Sequence, residues 1–171
     1  MVNYEFLLDG GDLRSTGKSN EVVSCIKTQR DFDKLFACLY HHNRLVVMRA
    51  ADAIEKITIP KPEYLIPHKI DVLNLCHHAQ NKELIWHLAQ LLPRLNLTVS
   101  ELTKVWNILI NWSLNTRNSR IVRVNAIQSL YELTKNNKTF TNKYIGILQS
   151  VESENIPSLN ARIKKLRLLI G

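Results

Sequence analysis

Residues 45–57 read LVVMRAADAIEKI, residues 83–95 read ELIWHLAQLLPRL and residues 121–133 read IVRVNAIQSLYEL. The three segments lie 38 residues apart. In register, five columns are apolar in every copy: Val46/Leu84/Val122, Ala50/Leu88/Ala126, Ala51/Ala89/Ile127, Ile54/Leu92/Leu130 and Ile57/Leu95/Leu133. The spacing within each copy is that of one helical face. A period of this length marks a helical array whose units bury their apolar faces only against each other. Such an array offers a surface rather than a ready-made catalytic pocket.

Working outward, each copy is preceded by a second helical stretch. Asp31 or Asp33 can cap a helix with Phe32, Leu35, Phe36 and Leu39 on one stripe. Arg44 to Ile57 forms its partner, closed by the prolines at 60, 62 and 67. Pro67 suits the first position of the next helix, which carries Ile70, Leu73 and Leu75 to about Ala79. Asn81 caps the following helix, to Pro93-Arg94. Thr98 or Ser100 opens a long helix through Val105, Trp106, Leu109, Ile110 and Trp112, and Asn118 or Ser119 caps the next, to about Lys135. Phe140, Tyr144, Ile145 and Leu148 mark another helix. Pro157-Ser158 opens the last, in which Leu159, Ile163, Leu166 and Ile170 match Val122, Ala126, Ser129 and Leu133 at a shift of 37. The reading is an all-α array of about four antiparallel hairpins, each an outer helix followed by an inner one. It spans residues 31–171 behind an N-terminal capping extension, residues 1–30, in a single domain of residues 1–171. In the extension, Tyr4 to Leu8 reads as a short strand or a helical turn, and Ser19 or Asn20 can cap a helix from about Glu21.

These strings resemble HEAT repeats. VRVNAIQSL, residues 122–130, comes nearest to the family's Val-Arg…Ala…Ala-Leu pattern, with Ser129 in place of the second alanine; residues 46–54 have Val47 where the arginine would stand. RAADAIEKI (Arg49–Ile57), WHLAQLLPRL (Trp86–Leu95) and GGDLRSTGKSNEVV (Gly10–Val23) also resemble a set of small bacterial HEAT-like proteins. The resemblance implies a right-handed α-solenoid and no reaction.

Composition narrows the function. The three cysteines, Cys25, Cys38 and Cys76, form no close pair, and the N-terminal stretch is neither a signal peptide nor a membrane span, so a cytoplasmic protein is expected. The charge of +8 is uneven. Residues 116–171 hold 10 Lys/Arg against 3 Asp/Glu, a net of +7. This points to an anionic partner for the C-terminal third, or to a solvated basic face.

With the apolar columns buried, the remaining columns form rows across the stacked helices. Arg44/Lys82/Arg120 is cationic throughout and sits at the inner-helix N-termini, where free N–H groups and the helix dipole favour anions. With helices about 8–10 Å apart, such a row is a ridge roughly 20 Å long. The alternative is that these side chains reach into water or pair with carboxylates. Arg49, Asp52, His87, Gln90 and Arg123 form a candidate polar patch on the concave face, or else local ion pairs of Arg49, Asp52 and Lys56.

Several motifs fall short. GDLRSTGKS, residues 11–19, lacks the phosphate-loop spacing, because the first glycine would have to be residue 12, which is Asp12. Asp12, Arg14, Lys18 and Ser19 are left to cap the array or touch a ligand. Cys38, His41 and His42, with Cys76, His77 and His78, lack regular metal-ligand spacing. His87 has no adjacent nucleophile, and Trp106 and Trp112 suit packing better than base stacking. No catalytic residue, metal or cofactor is expected. The first reading is a non-enzymatic scaffold for a protein partner. The alternative is a nucleic-acid binder similar in shape to the helical-repeat DNA glycosylases, whose motif the chain does not carry.

Overall fold

The computed structural model describes residues 2–12 and 15–170. Among the described residues every regular element is helical. The leader forms α1 (Tyr4–Leu8) and α2 (Ser19–Cys25), so the stretch open to two readings is a short helix, capped by Asn3. Four hairpins follow: α3 (Gln29–Ala37) with α4 (Arg44–Thr58), α5 (Lys69–His78) with α6 (Lys82–Leu91), α7 (Val99–Leu114) with α8 (Arg120–Asn136), and α9 (Thr141–Glu152) with α10 (Pro157–Ile170). The inner helices α4, α6 and α8 begin at residues 44, 82 and 120, one repeat apart.

All fifteen side chains of the five apolar columns are buried; Ala50, Leu88 and Ala126 are sealed completely. Alanine in two of those three places lets neighbouring helices approach closely. Leu159, Ile163 and Leu166 are buried in the fourth, looser copy. The inner helices pack in the order α2, α4, α6, α8, α10. The leader therefore does more than hang on the first hairpin: α2 stands in the inner layer, and α1 lies against both α2 and α4. At the other end, exposed Lys164 and Arg167 replace the buried Ile127 and Leu130 of the preceding copy.

Three local expectations shift. α3 starts earlier than Asp31, because Thr28 caps it and Asp31 closes the capping box from the third helical position. Pro67 precedes α5 rather than opening it. Residues Pro62–Leu65 form a 3₁₀ turn that buries Tyr64, whose ring stacks on Phe32 with centroids 5.2 Å apart. The buried side of α5 is then Val72, Leu75 and Cys76, while Ile70 faces solvent. Trp106 and Trp112 are core residues, and Trp106 stacks on Phe140 at 4.1 Å.

Outer helices are also tied to each other. Glu101 closes the capping box of α7 by accepting from the Thr98 backbone N–H, and it accepts from Lys69 Nζ of α5 at 2.9 Å. The Thr98 N–H and the Lys69 ammonium hold its carboxyl at about 2. Because this value lies below the ordinary 4.5, the stabilisation is complete above pH 4.5 and is lost as the pH falls toward 2. In acid titrations followed by far-UV circular dichroism, Glu101→Gln should lose less stability across that interval than the wild type.

Candidate functional site on the inner face

The cationic row has three members in two situations. Arg44 donates to Glu83 on the next inner helix, through Nη2 at 2.7 Å and Nε at 3.2 Å. One repeat on, the position of Glu83 is taken by Ile121, and in the last copy by Ser158. The ion pair therefore does not recur, and Lys82 and Arg120 have no carboxylate partner among the described residues.

Arg49 is not a surface residue. It is 2 % exposed, and its guanidinium is wrapped by the leader loop. Nη1 donates to the carbonyls of Leu8 (2.7 Å) and Gly10, Nη2 to Asp12 O (3.2 Å) and Nε to Ser15 O (3.2 Å). Two glycines make the approach possible. A Cβ on Gly17, where φ is +53°, would lie 2.8 Å from Arg49 Cζ, and one on Gly11, at φ +79°, would lie 3.3 Å from Nη2. The phosphate-loop look-alike thus works with the opposite polarity: it turns carbonyls onto a cation instead of N–H groups onto an anion. Arg14 lies outside the described residues.

The rest of the expected patch divides into two networks. Asp52 accepts from Ser19 Oγ of α2 and from Lys56 Nζ at 2.6 Å, and Lys56 also reaches Asn20 Oδ1 at 2.8 Å. Glu55 accepts from Gln90 Nε2 at 2.9 Å and meets His87 Nδ1 at 2.8 Å. Arg94 donates to Glu55 O (2.6 Å) and Thr58 Oγ1 (2.7 Å). Burial lowers the Arg94 guanidinium, and the Glu55 charge acts the other way. His87 is 5 % exposed, and among the described residues no hydrogen bond joins it to a serine or cysteine; it is a polar tie between α4 and α6. Arg123, also 2 % exposed, donates from Nε to Ser113 O at 2.8 Å and grips Glu154 with both terminal nitrogens, at 2.8 and 2.6 Å. The patch expected to face a partner is therefore corrected: Arg49, His87 and Arg123 fasten one element to another, while Asp52 and Gln90 remain half-buried at its rim. Glu55 and Ser19, central to these networks, stand out in no row of the repeat.

Beyond Gln90 the polar ties thin out. A groove of about 540 Å³ opens across α4, α6 and α8, bordered by Thr58, Gln90, Arg94, Gln128 and Glu132. In the C-terminal third all three carboxylates are engaged: Glu132 with Lys135, Glu152 with Arg167 and Glu154 with Arg123. Seven of its ten cations consequently face no carboxylate among the described residues.

Among the described residues no group of three or more His, Cys, Asp or Glu is placed to hold a metal ion. Burial pushes the Cys38 and Cys76 thiols up to about 11 and 12, which keeps them protonated near neutral pH. No helix among the described residues is long and apolar enough to cross a membrane.

The stacked inner helices and their 38-residue register agree with the comparison against known families, in which a model of the HEAT repeat domain matches residues 13–168. The chain belongs to the HEAT repeat family. The match takes in α2 as well as the four hairpins, in keeping with the place of α2 in the inner layer. No curated protein and no solved structure matches this HEAT repeat protein. Its fold is a helical repeat scaffold.

Proposed function

We propose that this HEAT repeat protein is a non-enzymatic scaffold that holds a protein partner along the inner face of α4, α6, α8 and α10. Residues 1–171 act as one unit, with residues 1–30 as its N-terminal cap. The observation that carries the reading is the uneven satisfaction of charge along that face. Toward the N-terminus the polar groups are paired with one another across adjacent inner helices; toward the C-terminus Lys82 and Arg120 continue the row without carboxylates. A scaffold needs such a division between groups that hold the array and groups left for a partner. Arg44, Lys82 and Arg120 are the proposed contacts of the first row, with Asp52 and Gln90 beside them. Three free cysteines support a reducing, cytoplasmic setting.

The seven uncompensated cations of the C-terminal third favour a second reading, a nucleic-acid partner. Salt separates the two, because each phosphate contact adds to a steep logarithmic loss of affinity. Partners captured from the native host by crosslinking at low and physiological salt should be proteins retained at both. Lys82→Glu combined with Arg120→Glu should cut their retention about tenfold, the size expected for reversing charges at the rim of an interface. The helical circular dichroism signal should stay unchanged, since both side chains are exposed. Retention of nucleic acid alone, undiminished retention by the variant, or turnover of a substrate would reject the scaffold reading.

A further inference from the structure

We propose that the groove between α8 and α10 is a docking site for an acidic segment of a partner protein that carries an aliphatic anchor. The inference deepens the scaffold reading and rests on it. The groove encloses about 480 Å³ and is lined by Arg120, Ile121 and Val124 of α8 and by Ser158, Arg162 and Lys165 of α10. That space is within the range of peptide and small-ligand pockets, roughly 300–1,000 Å³.

Charge complementarity identifies the occupant. The three cations on the groove have no carboxylate partner among the described residues. Arg162 is held in place from one side only: Nη1 donates to Gln128 Oε1 at 2.7 Å, and the other N–H groups have no acceptor among the described residues. A guanidinium fixed in this way is oriented for a carboxylate without giving up its bidentate edge. The N-terminal ends of α8 and α10 lie on the same groove, at Arg120 and Ser158, and add to the positive potential.

The floor separates a protein from a nucleic acid. It is aliphatic, with Ile121 42 % exposed and Val124 beside it. Phosphates can meet the three cations, but single strands gain most of their apolar contact by stacking bases on aromatic rings, and none lines the groove. A leucine or isoleucine flanked by Asp or Glu satisfies both halves of the groove. The register separates this groove from its counterpart between α4 and α6. Between α4 and α6 the position of Ile121 is held by Leu45 and that of Ser158 by Glu83, which pairs with Arg44.

The test is fluorescence anisotropy on the full chain. One labelled probe is a short peptide of Asp and Glu around two leucines. A second has both leucines replaced by serine, and a third is a single-stranded oligonucleotide of the same net charge. The leucine peptide should bind about tenfold more tightly than either of the others. Ile121→Ser and Lys165→Glu should each weaken it several-fold, and together more than tenfold, with no change in circular dichroism. Equal binding of the serine peptide, equal or tighter binding of the oligonucleotide, or indifference to both substitutions overturns the proposal. The same double variant in the crosslinking experiment distinguishes its failure from that of the scaffold. Partners lost on Lys82→Glu/Arg120→Glu but fully retained on Ile121→Ser/Lys165→Glu would remove the groove and leave the scaffold. A wild type that retains no protein would remove both.

Discussion

Arg49→Leu should lower the unfolding free energy by about 3 kcal/mol and free the leader from α4. Leucine keeps the apolar stem but withdraws four charge-assisted hydrogen bonds. The carbonyls of Asp12 and Ser15 lie on exposed residues and can turn to water, whereas the bond to Leu8 O is buried and its acceptor is left unsatisfied. For a chain of this size the corresponding fall in melting temperature is roughly 6–12 °C. Urea denaturation gives the first quantity. Limited proteolysis gives the second, as faster cleavage between residues 9 and 17. Unchanged values for both would mean that the apolar contacts of α1 and α2 hold the leader unaided. Gly17→Ala offers an independent approach from the loop side, since its Cβ would meet the guanidinium at 2.8 Å on a left-handed backbone. Combined with Arg49→Leu it should cost less than the sum of the two single changes, because the group it strikes is gone.

Arg123→Met should cost a similar amount, about 2–4 kcal/mol, by a different route. Its guanidinium closes a three-way junction: the end of α7 through Ser113 O, the body of α8, and Glu154 in the link from α9 to α10. Methionine fills much of the volume but leaves the Ser113 carbonyl without this donor. Glu154, part-exposed, recovers water. Glu154→Gln should therefore be milder, and a double-mutant cycle between the two positions should reveal strong coupling. The pair also fixes a sign in acid. Bonding to Arg123 holds the Glu154 carboxyl below its ordinary 4.5. Its contribution is thus complete above that pH and fades as the pH drops further. In Arg123→Met this part of the acid-induced loss should disappear. A variant whose acid limb matches that of the wild type would show that the pair contributes nothing to stability.

The repeat was legible because burial is periodic. Alanine or a larger apolar residue recurs wherever an inner helix meets its neighbour, so the positions of α4, α6 and α8 could be read to within a residue or two. The polar ties were not legible, because they obey no period. The partners of Arg49 are backbone carbonyls, which any residue supplies; only Gly11 and Gly17 hinted that something approached the loop closely. Glu55 sits in a column whose other members are Pro93 and Tyr131, so nothing in register drew attention to it. Arg123 reads as a member of the polar patch on the concave face, but its bonds to Ser113 O and Glu154 bury it. Its pairing with Glu154 joins an inner helix to a loop outside the repeated copies. The groove between α8 and α10 is half visible in the sequence: Arg120 belongs to the cationic row, but Arg162 and Lys165 fall in the looser copy shifted to 37, outside that row.

The carbonyl cage around Arg49 also orders events during synthesis. Its four acceptors are translated between 34 and 41 residues ahead of the side chain that gathers them. While the ribosome is still making α3, the opening segment has neither its counter-charge nor a helix to lie against, and Leu8 and Val22 stay open to whatever attends the nascent chain. The segment that carries these acceptors leaves the exit tunnel ahead of the helix that holds it, and settles only once that helix has followed.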